Sequence, residues 1–287
     1  MKHCSVVICH YSLIDDFDEK DRMPEEERKR SEKMKECLNS LFENIDYPTD
    51  IIVIDNGGNP DDSDYLVDLA RQGKINTYIR NKNNMGFAYA WNQGARVATG
   101  EYLCFTCNDI LFKPKWLSTC IGLLEEYKDK KLLATPAIFG SQNSKKFDRG
   151  KLGNNRLNTL AGSNCIIMDY QTYKDSNEFP QHRVGGSIWI RRMQRKGYLV
   201  IVPPEDLIEH LGYKKGINFV NQFYVNKNLF NGETVNFNYK YDDAHKDYYY
   251  GLQRISGSPL GDEITGERIF RCRSGQETDS HGTLHSK

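Results

Sequence analysis

The sequence predicts an α/β fold in which a mixed, mainly parallel, Rossmann-like sheet is flanked by helices. Short aliphatic runs alternate with segments of helical periodicity, which is the pattern of the strand–helix–strand units that build parallel sheets. Two of these runs, residues 51–54 and 102–105, are short enough to be buried strands, and Asp55 and Asp109 lie just beyond them. Because open α/β sheets bind ligands beyond the carboxyl ends of their strands, we expect the functional site there.

The first third of the chain supplies the elements of a nucleotide-binding α/β unit. An apolar strand at residues 5–9 leads into the polar sequence His10-Tyr11-Ser12. Apolar residues then recur at helical spacing and predict a helix that packs on the sheet, namely Met34, Cys37, Leu38 and Leu41. Further strands are expected at 51–54 and 75–79, with a helix at 61–71 between them.

Residues 81–116 read as a loop, a slim alanine-rich helix and the buried strand at 102–105. A helix at 117–127 follows. Residues 140–158 show no periodicity and predict a long loop, a feature typical of active-site lids. The last predicted elements are a strand at 164–168, a helix at 185–197 and a strand at 198–202, and the composition from residue 256 onward predicts disorder.

Charge and hydropathy exclude some classes of partner. The 287 residues include 39 Lys plus Arg and 39 Asp plus Glu, so no global field attracts nucleic acid or anionic lipid. No apolar run approaches the length of a membrane span, and no secretory signal precedes the first strand. We therefore expect a cytoplasmic protein, whose oligomeric state the sequence leaves open.

The eight cysteines are best interpreted as reduced thiols. Cys104 and Cys107 form a C-x-x-C, but a strand directs residues three apart to opposite faces. The sequence holds no second C-x-x-C to complete a zinc site. A structural or redox pair is the less favoured alternative.

Short motifs in the middle of the chain resemble those of the family 2 glycosyltransferases. They are Asn84-Met85-Gly86-Phe87, then Asn92, Gly94 and Ala98, then Cys107-Asn108-Asp109, and finally Lys113-Pro114-Lys115-Trp116-Leu117. Their order and spacing together carry the resemblance, which covers roughly residues 4–212. It implies a GT-A fold and an enzyme that takes a sugar from a nucleotide-sugar donor.

The resemblance also implies which residues bind the donor. They are Tyr11, Ser12, Asp55, Asn84, Gly86, Asn92, Asn108 and Asp109. Asp55 at the tip of the second strand would contact the nucleoside. Its position before Asn56-Gly57-Gly58 also fits a turn-forming aspartate, an alternative that stays open.

A divalent metal, Mn²⁺ or Mg²⁺, is a further implication. Members of the family usually carry two acids that flank one residue, whereas here Cys107 stands in the first of these positions and Asp109 in the second. One carboxylate can still hold a hard cation together with phosphate oxygens and water. His210 resembles the late histidine that some GT-A enzymes contribute as a second ligand. A metal-independent variant and a structural histidine remain open.

The position of the acceptor base departs from the family's pattern. Inverting members carry an acid at the start of the helix that begins here with Gly185-Gly186-Ser187, so Ser187 marks the position of the expected base. A serine hydroxyl takes no proton near neutral pH. Three explanations compete: the site is inactive or impaired, another residue such as Glu178 or His182 acts as the base, or the mechanism retains configuration.

The leading expectation is a metal-assisted, inverting transfer of a sugar from a nucleotide-sugar to an acceptor hydroxyl. A glycan or glycolipid is the expected acceptor, and a modified nucleic acid is not excluded. Residues 1–215 would form the GT-A domain and residues 216–287 a C-terminal extension. The alternatives are a degenerate GT-A module that binds nucleotide or glycan without transfer, and another nucleotide-binding α/β transferase. A nucleotide-binding α/β transferase of another kind normally has a glycine-rich basic loop after its first strand. The sequence His10-Tyr11-Ser12 is not such a loop.

Overall fold

A computed structural model describes residues 2–12, 30–82, 86–139, 145–159, 164–180 and 185–211. It also describes the backbone of five short strands further along the chain. The side chains of those strands and of residues 30, 146 and 185–188 lie outside the description, as does most of the stretch from residue 212 onward.

Strands and helices alternate through the first two thirds of the chain. The strands are β1 Cys4–His10, β2 Thr49–Asp55, β3 Thr77–Arg80, β4 Tyr102–Cys107, β5 Ile110–Phe112, β6 Leu132–Ala134, β7 Asp148–Leu152, β8 Asn155–Asn158, β9 Cys165–Asp169, β10 Leu199–Val202, β11 Ile208–His210, β12 Phe237–Asp242, β13 Asp247–Leu252, β14 Phe270–Arg271, β15 Glu277–Thr278 and β16 Leu284–His285. The helices are α1 Arg30–Asn44, α2 Pro60–Arg71, α3 Phe87–Val97, α4 Trp116–Glu126, α5 Tyr170–Ser176 and α6 Gly185–Arg195, with a 3₁₀ turn at Lys145–Phe147.

One nine-stranded sheet has the strand order β3-β2-β1-β4-β9-β6-β10-β8-β7. Strands β3, β2, β1 and β4 pair in parallel, and so do β6 and β10. Strands β9 and β8 run antiparallel to both of their neighbours. All the other strands of the sheet therefore point in one direction, and the predicted mixed, mainly parallel α/β fold is confirmed.

Helices cover both faces of this sheet. On one face, α1, α2 and α4 bury their apolar residues against β1, β2 and β4, and the four residues predicted for α1 lie in this core: Met34, Cys37, Leu38 and Leu41. On the other face, α3, α5 and α6 form a second core that contains Trp91, Phe105 and Trp189. Successive residues of the central strands point to opposite cores, as the period of a strand requires.

The long loop predicted at residues 140–158 is wrong in part. Residues 145–147 form the 3₁₀ turn, and β7 and β8 form a hairpin that continues the sheet through β10. Residues 140–144 lie outside the described part of the chain. The hairpin escapes a periodicity search because β7 is an exposed edge strand whose residues are mostly polar or charged, a composition that protects sheet edges from pairing with other chains.

Among residues 2–211, four further elements were not predicted: β5, β6, β11 and α5. Each is short, with β5 and β6 containing three residues and α5 seven. Strand β5 pairs antiparallel with β11 in a small second sheet, which matters for the candidate site.

The described cysteines are free thiols, in agreement with the prediction of reduced residues. Cys104 approaches Cys165 rather than Cys107, with the two sulfur atoms 3.6 Å apart in the core. Burial raises the pKa of the Cys104 thiol well above its ordinary value, so it stays protonated and behaves as an apolar side chain. Along the described residues, no helix combines the length and apolar character needed to cross a membrane.

Gly94 sets the distance between α3 and the sheet, and its replacement tests this packing. A Cβ at Gly94 would lie 2.3 Å from Val7 Cγ1, so Gly94→Ala forces strand and helix apart. We expect the free energy of unfolding to fall by about 1–3 kcal/mol, the usual cost of overpacking. The matched control is Gly122→Ala in α4, where no atom lies within 4 Å of the new Cβ. There alanine's helix propensity should raise stability by up to about 1 kcal/mol. Equal effects of the two variants in urea unfolding would contradict the packing described.

Candidate functional site

The carboxyl ends of β1, β2 and β4 lie side by side. In register, His10 pairs with Asp55, and Cys9 pairs with Cys107. The three strands therefore end at nearly the same level, and the polar residues that follow them start from one edge of the sheet. This is the edge at which open α/β sheets bind ligands.

Asp109 and His210, which are far apart in sequence, meet at this edge. The antiparallel pairing of β5 with β11 places His210 opposite Ile110, and the N–H of Leu211 donates to the carbonyl oxygen of Asp109 at 2.8 Å. His210 Nε2 lies 3.6 Å from Asp109 Oδ1, and the side chains are 14% and 18% exposed. The two predicted metal ligands are thus adjacent and accessible.

The chemistry of this pair fits one small divalent cation. Bonds from such ions to oxygen or nitrogen are about 2 Å long, so two ligand atoms up to about 4 Å apart can share an ion. A carboxylate oxygen together with a neutral imidazole suits Mn²⁺. The residues that the structure describes contain no cluster of three or more His, Cys, Asp or Glu side chains able to hold a metal. An ion at Asp109 and His210 would therefore take most of its ligands from a bound diphosphate and water.

Asp55 is a fully buried carboxylate that accepts hydrogen bonds from several elements. Its Oδ1 accepts from the Gly58 N–H at 3.0 Å, and its Oδ2 accepts from the Ser63 hydroxyl and, at 2.8 Å, from the Tyr78 hydroxyl. Arg80 Nε lies 3.7 Å from the same Oδ2. Burial and the hydrogen bond to Asp55 raise the pKa of Tyr78 above its ordinary value. Asp55 therefore fixes the relative positions of β2, α2 and β3 at the ligand edge.

Three other predicted donor-binding residues follow the strands at this edge. Ser12 is 2% exposed, and its hydroxyl accepts from the Asn59 N–H at 3.1 Å. Tyr11 is half-buried. Gly86 precedes α3 with a φ of 83°, a left-handed conformation that favours glycine. The prediction for Asn84 lies outside the described residues.

The structure gives Asn92 a different role from the one expected. Its side chain is fully buried, where Oδ1 accepts from the Phe179 N–H at 2.9 Å and the Tyr173 hydroxyl at 3.0 Å, and Nδ2 donates to the Phe179 carbonyl at 2.8 Å. This amide holds the segment after α5 against α3. Because these hydrogen bonds all go to α5 and the segment after it, the structure places Asn92 as a packing residue of α3.

Glu178 is also placed away from the strand edge. Its carboxylate forms a bidentate ion pair with Arg96, with both N–O distances 2.8 Å. Arg96 lies in the last turn of α3, a helix that runs from the carboxyl end of β3 back to the amino end of β4. Glu178 is therefore held toward the amino edge of the sheet, opposite to Asp109. The expectation that it serves as the acceptor base is not supported by this placement.

The other two predicted catalytic positions are only partly described. Ser187 lies in the first turn of α6, but its side chain is outside the description, and His182 lies outside it altogether. The following turns of α6 pack into the core through Trp189, Ile190 and Met193. The backbone at Ser187 is thus helical, as the resemblance implied, and its role stays a prediction.

Sequence reasoning did not select two residues that belong to this edge, His10 and Asp62. Both are buried, at 0% and 2% exposure, and they contact each other beside Asn108. The available signals were a histidine that ends an otherwise mostly apolar strand and an acid in the first turn of a helix. Acids are common at that helical position because they suit the dipole, so the second signal does not identify a site.

Comparison with known proteins places this arrangement in a family. The model of "Glycosyl transferase family 2" matches residues 27–193. A curated "Uncharacterized glycosyltransferase" of Haemophilus influenzae (strain ATCC 51907 / DSM 11121 / KW20 / Rd) is 26% identical over 129 residues, which are 44% of this chain and 35% of that protein. The chain therefore matches only about a third of the length of that relative.

Similar solved structures are GT-A glycosyltransferases. GalNAc-T7 with UDP, GalNAc and Mn²⁺ aligns with a TM-score of 0.55 and 12% identity over 73% of this chain and 44% of its own. The mannosyltransferase PcManGT from Pyrobaculum calidifontis, in complex with GDP-Man and Mn²⁺, has a TM-score of 0.51 and 18% identity, and the alignment covers 74% of this chain and 58% of PcManGT. S. aureus TarS 1–349 has a TM-score of 0.51 and 18% identity, and the alignment covers 72% of this chain and 59% of TarS 1–349. At these identities the likeness shows the fold, and the predicted GT-A fold is confirmed.

The hydrogen bonds around Asp55 lead to a stability prediction. Asp55→Ala removes the acceptor of the Gly58 N–H and the Tyr78 hydroxyl and leaves the Ser63 hydroxyl with the Asn59 carbonyl at 3.2 Å. A buried donor that loses its acceptor costs about 1–3 kcal/mol. We expect a loss of at least about 2 kcal/mol in the free energy of unfolding, measured in urea. Tyr78→Phe removes one donor and leaves the carboxylate in place, so it should cost about 1 kcal/mol. If Asp55→Ala proved no more costly than Tyr78→Phe, Asp55 would not be the structural centre of this edge.

Proposed function

The chain belongs to glycosyl transferase family 2, and we propose that it transfers a sugar from a nucleotide-sugar donor to an acceptor hydroxyl. The observation that carries this proposal is the contact of Asp109 with His210 at the carboxyl edge of the sheet. A transfer of this kind needs a grip on the nucleotide, relief of charge on the leaving diphosphate and activation of the acceptor. We propose residues 1–215 as the unit that does this and residues 216–287 as an extension of it.

We assign the nucleotide grip to the residues that follow β1, β2 and β4. Asn108 and Asp109 extend from β4, Tyr11 and Ser12 from β1, and Asp55 shapes the turn after β2. Gly86 joins this set because it precedes α3 at the same edge, and the family resemblance adds Asn84, two residues earlier in the sequence. Backbone N–H groups at such an edge favour an anionic diphosphate.

Asp109 and His210 are the residues that would hold Mn²⁺ or Mg²⁺. When bound, the cation neutralises negative charge that develops on the diphosphate as the sugar departs. Two of the similar structures, GalNAc-T7 and PcManGT, contain Mn²⁺, which supports this assignment. The contribution of the chain itself is to keep the carboxylate and the imidazole 3.6 Å apart and partly exposed.

We propose inverting transfer, with the acceptor near the start of α6. Ser187 occupies the helical position at which inverting relatives carry an acid, and a serine there leaves only positioning and charge relief for catalysis. A glycan or glycolipid is the proposed acceptor class, with modified nucleic acid as an alternative. The missing acid also favours a second candidate function, a module that binds nucleotide or glycan without transferring the sugar.

A panel of UDP-, GDP-, TDP- and CMP-sugars, each tested with and without Mn²⁺, separates these functions. A donor at about 100 times its dissociation constant stabilises the fold by roughly 2.7 kcal/mol, which thermal unfolding detects readily. The proposal predicts Mn²⁺-dependent stabilisation and release of the nucleotide, which is a nucleoside diphosphate for UDP-, GDP- and TDP-sugars and CMP for CMP-sugars. Stabilisation without release would favour the binding module. No stabilisation by any member of the panel would contradict both transfer from these donors and a nucleotide-binding module.

Replacement of Asp109 tests the site directly. Asp109→Ala should lower donor turnover by on the order of 10²-fold or more, because a charge that stabilises the transition state is lost. The Tm should change little, because the side chain lies at the edge of the sheet rather than in the core. Glu209→Gln, an exposed acid one residue from His210 on β11, is the matched control and should keep wild-type turnover. Unchanged turnover in Asp109→Ala would rule out the assignment.

The role of the Ser187 position can be tested by supplying an acid. Ser187→Asp should raise acceptor-dependent turnover by about tenfold or more, on the scale of general-base catalysis. Ser187→Asn introduces a side chain of nearly the same shape as Asp but without a basic carboxylate oxygen. It should give no increase in turnover. Glu178→Gln tests the competing assignment, and its ion pair with Arg96 leads us to expect only a small effect on turnover. If Ser187→Asp left the turnover unchanged and Glu178→Gln abolished it, the position of the base would have been assigned to the wrong residue.

A further inference from the structure

Three side chains from separate elements form a buried polar chain behind the ligand edge: Asp62 of α2, His10 at the end of β1 and Asn108 after β4. Their exposed fractions are 2%, 0% and 6%. Asn108 Nδ2 lies 2.8 Å from His10 Nδ1, and His10 Nε2 lies 3.3 Å from Asp62 Oδ2. This row of three side chains ends at Asn108, which is next to Asp109 in the sequence. It therefore connects the interior of the protein to the proposed donor site.

The hydrogen-bonding capacities of the groups determine the position of the imidazole proton. In this structure the Asn108 amide is oriented with its NH₂ group toward His10 Nδ1, and with that orientation Nδ1 accepts and carries no proton. The proton of the neutral ring is then on Nε2, which faces Asp62. In the opposite tautomer a lone pair would face a carboxylate, and the Asn108 amide would have to turn by about 180° to offer its oxygen to Nδ1. The geometry therefore couples the tautomer of His10 to the orientation of Asn108.

Asp62 is held as a carboxylate in this position. Its Oδ2 accepts from the Ser31 hydroxyl at 2.8 Å. Burial alone raises the pKa of Asp62, but interactions with His10, Ser12 and Ser31 outweigh burial and hold the pKa below its ordinary value. Among the described residues, no acceptor lies in line with the Nε2–H bond of His10, so its contact with Asp62 is mainly electrostatic. An ionised Asp62 is therefore what favours the Nε2–H tautomer.

We propose that Asp62 and His10 are positioning residues for donor binding, because they fix the amide orientation of Asn108 beside Asp109. The inference rests on the proposed function for the identity of the ligand, a nucleoside diphosphate. A buried histidine that only fills space would not need a charged partner, and burying charge is costly unless it is paired. The charge of this group of side chains is on Asp62, and it acts through His10 on the Asn108 amide, which we propose to bind the donor. Residues that orient binding groups in this way affect affinity by about 10- to 100-fold in metal sites.

The imidazole ¹⁵N signals of His10 in the wild-type protein test the structural half of the inference. The expected result is a proton on Nε2 and a hydrogen-bonded Nδ1 that carries none. Asp62→Asn keeps the shape and removes the charge, so the Nε2–H population should fall. A wild-type ring with its proton on Nδ1, or the same tautomer population in Asp62→Asn, would overturn the coupling.

Binding of UDP or GDP with Mn²⁺, measured by calorimetry, tests the functional half. Asp62→Leu and His10→Leu should raise the dissociation constant about tenfold. His10→Asn should recover most of the affinity, because its side-chain oxygen can take the place of Nδ1 as the acceptor for Asn108. Two matched controls should keep wild-type affinity: Asp61→Asn, which removes an exposed acid beside Asp62, and Ser31→Ala, which removes a contact of Asp62 that does not involve His10.

Affinity that stayed at the wild-type level in Asp62→Leu and His10→Leu, or that fell equally in Ser31→Ala, would show a structural role only. His10→Asn as weak as His10→Leu would also contradict the proposal. These results are distinct from a failure of the proposed function, in which the wild type would turn over no donor. In that case the ¹⁵N signals and nucleoside diphosphate binding still decide the inference.

Discussion

The pairing of β5 with β11 is the constraint on which the proposed site depends. Each strand contains three residues, yet together they bring His210 to Asp109 across a long stretch of sequence. The backbone bond from the Leu211 N–H to the Asp109 carbonyl fixes the register, so a slip by one residue would turn His210 to the other face. The residue before β11 is tied in turn to the main sheet, since the Leu207 N–H donates to the carbonyl of Pro136, two residues after β6, and the Leu207 carbonyl accepts from the Lys113 N–H after β5. The whole fold therefore determines the 3.6 Å separation of these two side chains.

A second constraint is that polar groups at the strand ends are buried and must be satisfied. Asp55 ends β2 and Asp62 lies in the first turn of α2, and both carboxylates are nearly inaccessible. Asp55 accepts from several donors, and Asp62 accepts from Ser31 and lies beside His10. A carboxylate in such a position is costly unless it is paired, so these networks specify one arrangement of the loops. The ligand edge is consequently rigid where it meets the sheet. Partly exposed groups such as Asp109 and His210 remain for contact with a ligand.

The parts of this arrangement that follow from the sequence are those with a strong local signal. The parallel strands and the α1 contacts of Met34 and Leu41 could be predicted because apolar periodicity reports burial. The β7–β8 hairpin could not, since an exposed edge strand shows no apolar alternation. Glu178 was selected because an acid near α6 fits a base, but its partner Arg96 is 82 residues away, and no sequence pattern reveals that contact. Pairings of this range depend on tertiary packing rather than on spacing along the chain.

The central claim is that Asp109 and His210 together hold a divalent cation against a nucleoside diphosphate. Anomalous diffraction at the manganese edge tests it most directly, with crystals of the full chain grown with Mn²⁺ and UDP or GDP. The account predicts one strong anomalous peak in contact with both side chains and with the diphosphate. A peak bound elsewhere on the chain, or nucleoside diphosphate bound at this edge with no peak beside Asp109 and His210, would contradict it.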